Sequence, residues 1–113
     1  MRILVASNST SKRTDYFIKA GRSLGADTCF VTYDELSAVL PDCRDTVVKL
    51  EPPVFREADF RKYNLLCEEY RSLLSRLADT DKSESVHFLN EPAAILCALD
   101  KVYTCLLYTS DAA

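Results

Sequence analysis

The side chains that could do chemistry in this chain are few, and they gather where strands give way to loops. The run Ser7-Asn8-Ser9-Thr10-Ser11 supplies hydroxyls and a carboxamide, followed at once by Lys12 and Arg13. At the start of a helix, hydroxyls and backbone amides without intrahelical partners can hold a carboxylate or phosphate, and the two cations would strengthen that site. Plain helix capping with solvated cations is the competing reading. Ser7, Asn8, Ser9 and Thr10 are therefore candidate substrate-binding residues. No glycine interrupts the run, so neither a dinucleotide fingerprint nor a P-loop is present. A second cluster is Glu51-Pro52-Pro53-Val54-Phe55-Arg56, where two prolines stiffen the chain and Arg56 could grip an anionic substrate bidentately. A rigid strand-to-helix connector explains the same residues.

His87 stands inside a strand-like run with no Ser or Cys that sequence can place beside it, and it reads as structural. The five cysteines form no CxxC pair, and with a single histidine they assemble no zinc site at recognised spacings. Cys29, Cys67 and Cys97 lie in apolar periodic segments and read as small buried hydrophobes. An odd count without a signal peptide points to reduced thiols in a cytoplasmic protein.

The elements that must position these groups alternate. Ile3-Leu4-Val5-Ala6 is continuously apolar, as expected of a parallel strand covered on both faces. Phe17, Ala20 and Leu24 recur at helical spacing up to Gly25, a plausible C-terminal cap. Residues 28–33 form a β-branched and aromatic strand, with Asp34 expected to cap a short helical turn from Glu35 to Leu40 that stops before Pro41. Residues 46–50 form a third strand. Residues 57–79 carry Tyr63, Leu66, Cys67, Tyr70, Leu73, Leu74 and Leu77 on one helical stripe. Residues 86–89 form a fourth strand, and Pro92 suits the opening of a further helix. Strand-helix alternation predicts an α/β fold: a small open parallel sheet of about four strands with helices on both faces. Ligands of such sheets bind outside the carboxyl ends of the strands, here loops 7–12, 33–35, 51–56 and 90–92.

The chain of 113 residues has room for one domain, and its 48% hydrophobic and 27% charged composition is that of a globular one. Fourteen basic against 17 acidic residues, net charge −3, leave no basic field for a nucleic-acid backbone. No apolar run is long enough to span a membrane. Neither nucleic acid nor membrane is expected as a partner.

The stretch Val86-His87-Phe88-Leu89-Asn90-Glu91-Pro92, continuing through Ile95 and Leu99 to Asp100-Lys101, resembles the end of the N-terminal (pre-ATP-grasp) domain of ATP-grasp proteins. There a strand ends in an Asn-x-Pro turn and the next helix carries an Asp-Lys pair; a solvent-facing pair on a helix is the plainer alternative. The resemblance covers residues 1 to about 104 and implies a Rossmann-like domain on the substrate side of a carboxylate-amine ligase. ATP and Mg²⁺ would serve the full-length parent, the substrate would be a small-molecule or peptide carboxylate, and Lys101 would reach nucleotide phosphates as a point charge. Cys105 departs from the family, whose members often place a basic residue there. From Cys105 to Ala113 the sequence looks like translated sequencing-adaptor read-through, so residues 1–104 are expected to be the domain and 105–113 a non-native tail. The glycine-rich lid and metal ligands of the family have no counterpart here, so the chain by itself is expected to be inactive and to bind no cofactor tightly. The alternative is a self-contained flavodoxin-like or nucleotide-sugar-type binding module; a receiver would need an acidic cluster that Ser7-Asn8 and Glu51 barely imitate.

Overall fold

The computed structural model describes residues 1–55, 59–79 and 85–99. In chain order the elements are β1 (Arg2–Ser7), α1 (Lys12–Ser23), β2 (Asp27–Thr32), α2 (Tyr33–Val39), a 3-10 turn (Leu40–Asp42), β3 (Thr46–Leu50), α3 (Phe60–Asp79) and β4 (Val86–Phe88), followed by a helical stretch over residues 92–99. The four strands form one sheet in the order β2-β1-β3-β4, and every adjacent pair is parallel. The fold is therefore the α/β sheet that strand-helix alternation predicts. The second and third strands lie on opposite sides of the first: β2 flanks β1 on one side and β3 on the other.

Register decides which residues share a face. Leu4 is paired with Cys29 and Val48, and Ala6 with Val31 and Leu50. Strand side chains alternate, so these residues point one way while Val5, Ser7, Thr28, Val47 and Lys49 point the other. The first face meets Tyr33 and Leu36 of α2 and Tyr70, Leu73 and Leu74 of α3 in one buried cluster, with Ile95, Leu96 and Leu99 packed against it. The second face receives α1. There the backbone at Gly21 comes so close to Thr28 that a Cβ would stand 2.2 Å from the Thr28 Oγ1. Helices thus cover both faces, unequally.

Local chemistry explains the boundaries. Ser11 caps α1, its Oγ accepting from the Thr14 N–H at 3.3 Å while its own N–H donates to the Thr14 Oγ1 at 2.7 Å. Gly25, at φ +87°, turns the chain out of α1 in a conformation glycine adopts without steric cost. The N–H groups of Gly25 and Ala26 then bond the carbonyls of Arg22 and Gly21, closing the helix with a Schellman pattern. At α2 the expectation needs correction: the cap is Thr32, not Asp34. Thr32 Oγ1 accepts from the Glu35 N–H and the Glu35 carboxylate accepts from the Thr32 N–H, a capping box that begins the helix at Tyr33. Pro41 does not end the chain's turning but sits inside the 3-10 turn that follows. The cysteines also differ from expectation. Cys43 is the buried one, Cys29 and Cys67 are half-buried, and Cys97 is exposed, because it occupies the solvent flank of its helical stretch while Ile95, Leu96 and Leu99 take the packed flank. His87 is exposed on β4.

Candidate functional site

In an open parallel sheet the ligand crevice opens where consecutive connections depart to opposite sides, at the carboxyl ends of the strands. Here that point lies between β1 and β3, and the polar loop after β1 faces the proline loop after β3. The two loops are fastened together. Asn8 Nδ2 donates to the Val54 carbonyl at 2.9 Å, and its Oδ1 accepts from the Val54 N–H at 2.7 Å. Ser7, fully buried, donates from Oγ to the Pro52 carbonyl at 3.1 Å and stands 3.2 Å from the Asn8 Oδ1. The Tyr33 hydroxyl donates to the Glu51 carbonyl. Ser7 and Asn8 thus spend their polar atoms on the chain itself. Ser9 is half-buried with its Oγ 3.4 Å from the Thr10 carbonyl, and Thr10 is exposed. Arg56 and Lys101, with Asp100 and the stretch from Cys105 on, lie outside the described residues.

Beside the crevice sits a buried charge that sequence reading did not single out. Glu51 is 4% exposed, and its carboxylate lies 3.3 Å from Lys49 Nζ and 3.7 Å from an Arg13 guanidinium nitrogen. Glu51 Oε1 has an ion-pair neighbour in Lys49 but no hydrogen bond of good geometry. Lys49 in turn stands over the Phe17 ring, 5.1 Å from its centroid. Arg13, expected to reinforce an anion site at the start of α1, instead faces this carboxylate. The signal was the Lys49-x-Glu51 spacing, which puts both residues on one strand face; the pairing with Arg13 is non-local and has no sequence signature.

On the other side of Tyr33 an open groove of about 1290 Å³ runs between the start of α2 and one flank of α3, with Asn8, Tyr33 and Asp34 on one wall and Glu68, Arg71 and Ser72 on the other. Behind the first wall Tyr33 stacks on the core residue Tyr70, with centroids 5.5 Å apart. Burial drives the Tyr33 hydroxyl far above the usual phenolic range, against a smaller opposing effect of its contact with Ser7. Burial, and then the Glu51 carboxylate, raise Tyr70 in the same direction. Both phenols are neutral at physiological pH and the Tyr33 hydroxyl is committed to the Glu51 carbonyl, so what the groove itself offers is the mixed charge of Asp34, Glu68 and Arg71. Among the described residues no set of three or more His, Cys, Asp or Glu side chains is placed to hold a metal ion. Among the same residues no helix is long and apolar enough to cross a membrane.

No protein family, characterised protein or solved structure matches this chain. The functional reading therefore rests on its own residues.

Proposed function

We propose that this chain is the N-terminal, substrate-side domain of an ATP-grasp carboxylate-amine ligase. One observation carries the reading. Strand β4 pairs with β3 in the register Val48 to Phe88, so the Asn90-Glu91-Pro92 turn leaves the sheet at the same carboxyl edge as the loops after β1 and β3. Pro92 is buried at the first position of the helical stretch 92–99, where its missing N–H costs no intrahelical bond. A strand, an Asn-x-Pro turn and a helical stretch thus follow one another as the resemblance requires, with Asp100-Lys101 next in the sequence. In the parent, ATP and Mg²⁺ would convert a carboxylate to an acylphosphate for attack by an amine. This domain would supply one wall of the cleft, with the hydroxyls of Ser9 and Thr10 orienting the substrate and Lys101 and Arg56 serving its anionic groups.

The reading makes a quantitative demand. Without a second wall, one lysine offers ATP only an exposed, salt-screened contact of about 1 kcal/mol or less. Calorimetry with Mg-ATP on the 113-residue chain should give binding no tighter than about millimolar, and micromolar binding would refute the assignment. In a protein that also carries the nucleotide-binding domain, Lys101→Ala should weaken ATP roughly 10-fold to 150-fold, since a desolvated charge-assisted contact is worth about 1.5 to 3 kcal/mol. The open groove beside Tyr33 favours a second reading, a self-contained binding module of flavodoxin-like or nucleotide-sugar type. That reading predicts a ligand held by the chain alone.

A further inference from the structure

The crevice between the carboxyl ends of β1 and β3 is the place where an open parallel sheet receives its ligands, yet in this molecule it is filled by the chain's own segment Pro52–Phe55. The manner of filling is specific. Val54 presents an N–H and a C=O to one carboxamide, and Asn8 meets both, at 2.7 and 2.9 Å. A primary carboxamide reads one residue of an extended peptide in this way, because its donor and acceptor lie side by side like those of a neighbouring strand. The segment is stiff, since Pro52 and Pro53 have fixed φ and no N–H to give. It is also lightly held. Pro52 is exposed, while Pro53, Val54 and Phe55 are only half-buried. Among the described residues Tyr33 also holds the Glu51 carbonyl just before the segment, and at its far end the Phe55 ring meets Tyr63 edge-on at 5.4 Å.

We infer that Pro52–Phe55 is an intramolecular occupant of the crevice, and that the same crevice takes an extended, peptide-like ligand whose amide replaces that of Val54 on Asn8. Asn8 is then the residue that recognises the ligand's backbone, and the proline segment is the competitor that keeps the crevice shut. The inference goes beyond the ligase assignment and does not depend on it, because it rests on the contacts of Ser7 and Asn8 with Pro52 and Val54, which that assignment does not use.

The test uses the 113-residue chain and the peptide acetyl-Pro-Pro-Val-Phe-amide as probe. Val54→Pro removes the N–H that Asn8 accepts and so releases the competitor at one of its two points. Titrating the probe into this variant should shift the Asn8 side-chain amide resonances in the NMR spectrum, with an affinity about 10-fold higher than in the unaltered chain. Adding Asn8→Ala should abolish peptide binding itself, followed by calorimetry because the Asn8 resonances are then gone. A folded Val54→Pro chain whose Asn8 resonances stay unmoved up to about 10 mM peptide would overturn the proposal. Hydrogen exchange on the unaltered chain keeps the question open to refutation should that variant not fold. The Val54 amide should exchange by local opening, about 10-fold or more faster than the Val5 and Leu50 amides of the central strands. Exchange of Val54 at the same rate as those strands would show that the segment is core rather than occupant.

Discussion

The two faces of the sheet are built on different physics. The face under α2 and α3 is a continuous apolar contact in which Leu4, Leu36, Val48, Leu73 and Leu74 are 1% exposed or less. The face under α1 adds polar and small residues to the buried Val5: Thr14 and Thr28 are buried, Gly21 lets the helix backbone approach, and Lys49 lies between Phe17 and Glu51. Apolar burial is non-directional and tolerates repacking, whereas close approach and ion pairing depend on individual atoms. The first face should therefore carry most of the stability. The second should be sensitive to single atoms, and it borders the crevice.

The largest effect that would test this contrast is Leu73→Ala, which removes a fully packed side chain. It should cost about 2 to 5 kcal/mol in a denaturant titration, and a loss under about 1 kcal/mol would show that α3 is not the main apolar lid. Next is Gly21→Ala, which adds one methyl where only 2.2 Å separates it from the Thr28 Oγ1. Its cost should be about 1 to 3 kcal/mol, and pairing it with Thr28→Ala should return much of the loss by clearing the obstructing hydroxyl and methyl. If the double variant is no better than the single, the closeness of α1 is not what fixes this face.

Glu51→Gln should be milder, about 1 to 2 kcal/mol. The Lys49 partner is largely buried, but Arg13 is 71% exposed and its share is screened by water. The loss should shrink in high salt only slightly, because the closer pair is shielded from solvent. The smallest effect is alkaline. Tyr33 and Tyr70 ionise in the unfolded chain at about pH 10 and at higher pH when folded, Tyr33 much higher. Their neutral forms therefore contribute stability that is complete below about pH 10 and is lost as the pH rises beyond it, by about 0.4 kcal/mol for Tyr33 at pH 10 itself. Melting curves between pH 8 and pH 10.5 on Tyr70→Phe, which removes one titrating group, should fall less steeply than those of the unaltered chain.

Much of this is legible in the sequence, and the failures have two causes, one local and one non-local. Ile3 to Ala6 is recognisable as a buried strand because it is continuously apolar, and the stripe from Leu66 to Leu77 because its period is helical; both signals are local. The α2 cap was misread because Tyr33 suits a strand, while the Thr32-x-x-Glu35 capping box outweighs that preference. The crevice was misjudged for a different reason. Ser7 and Asn8 were recognised as polar groups at a ligand-binding edge, but their partners lie about 46 residues away in the chain, and no pattern in either segment reports the pairing. Arg13 and Glu51 illustrate the same limit: each charge is visible, and their meeting is a product of the fold.

The central place of β1 has a consequence for how the chain is made. It is synthesised before the other three strands of the sheet, so both of its neighbours come later, Arg2 aligning with Asp27 on one side and Thr46 on the other. Parallel pairing requires a crossover, so no hairpin can shelter the Ile3 to Ala6 run as it emerges. At about 5 to 20 residues per second, ribosomal elongation leaves that run without its second partner for several seconds. Arg2 on one flank and the five polar residues from Ser7 to Ser11 on the other then act as gatekeepers, keeping a nascent sticky segment in solution until β3 arrives.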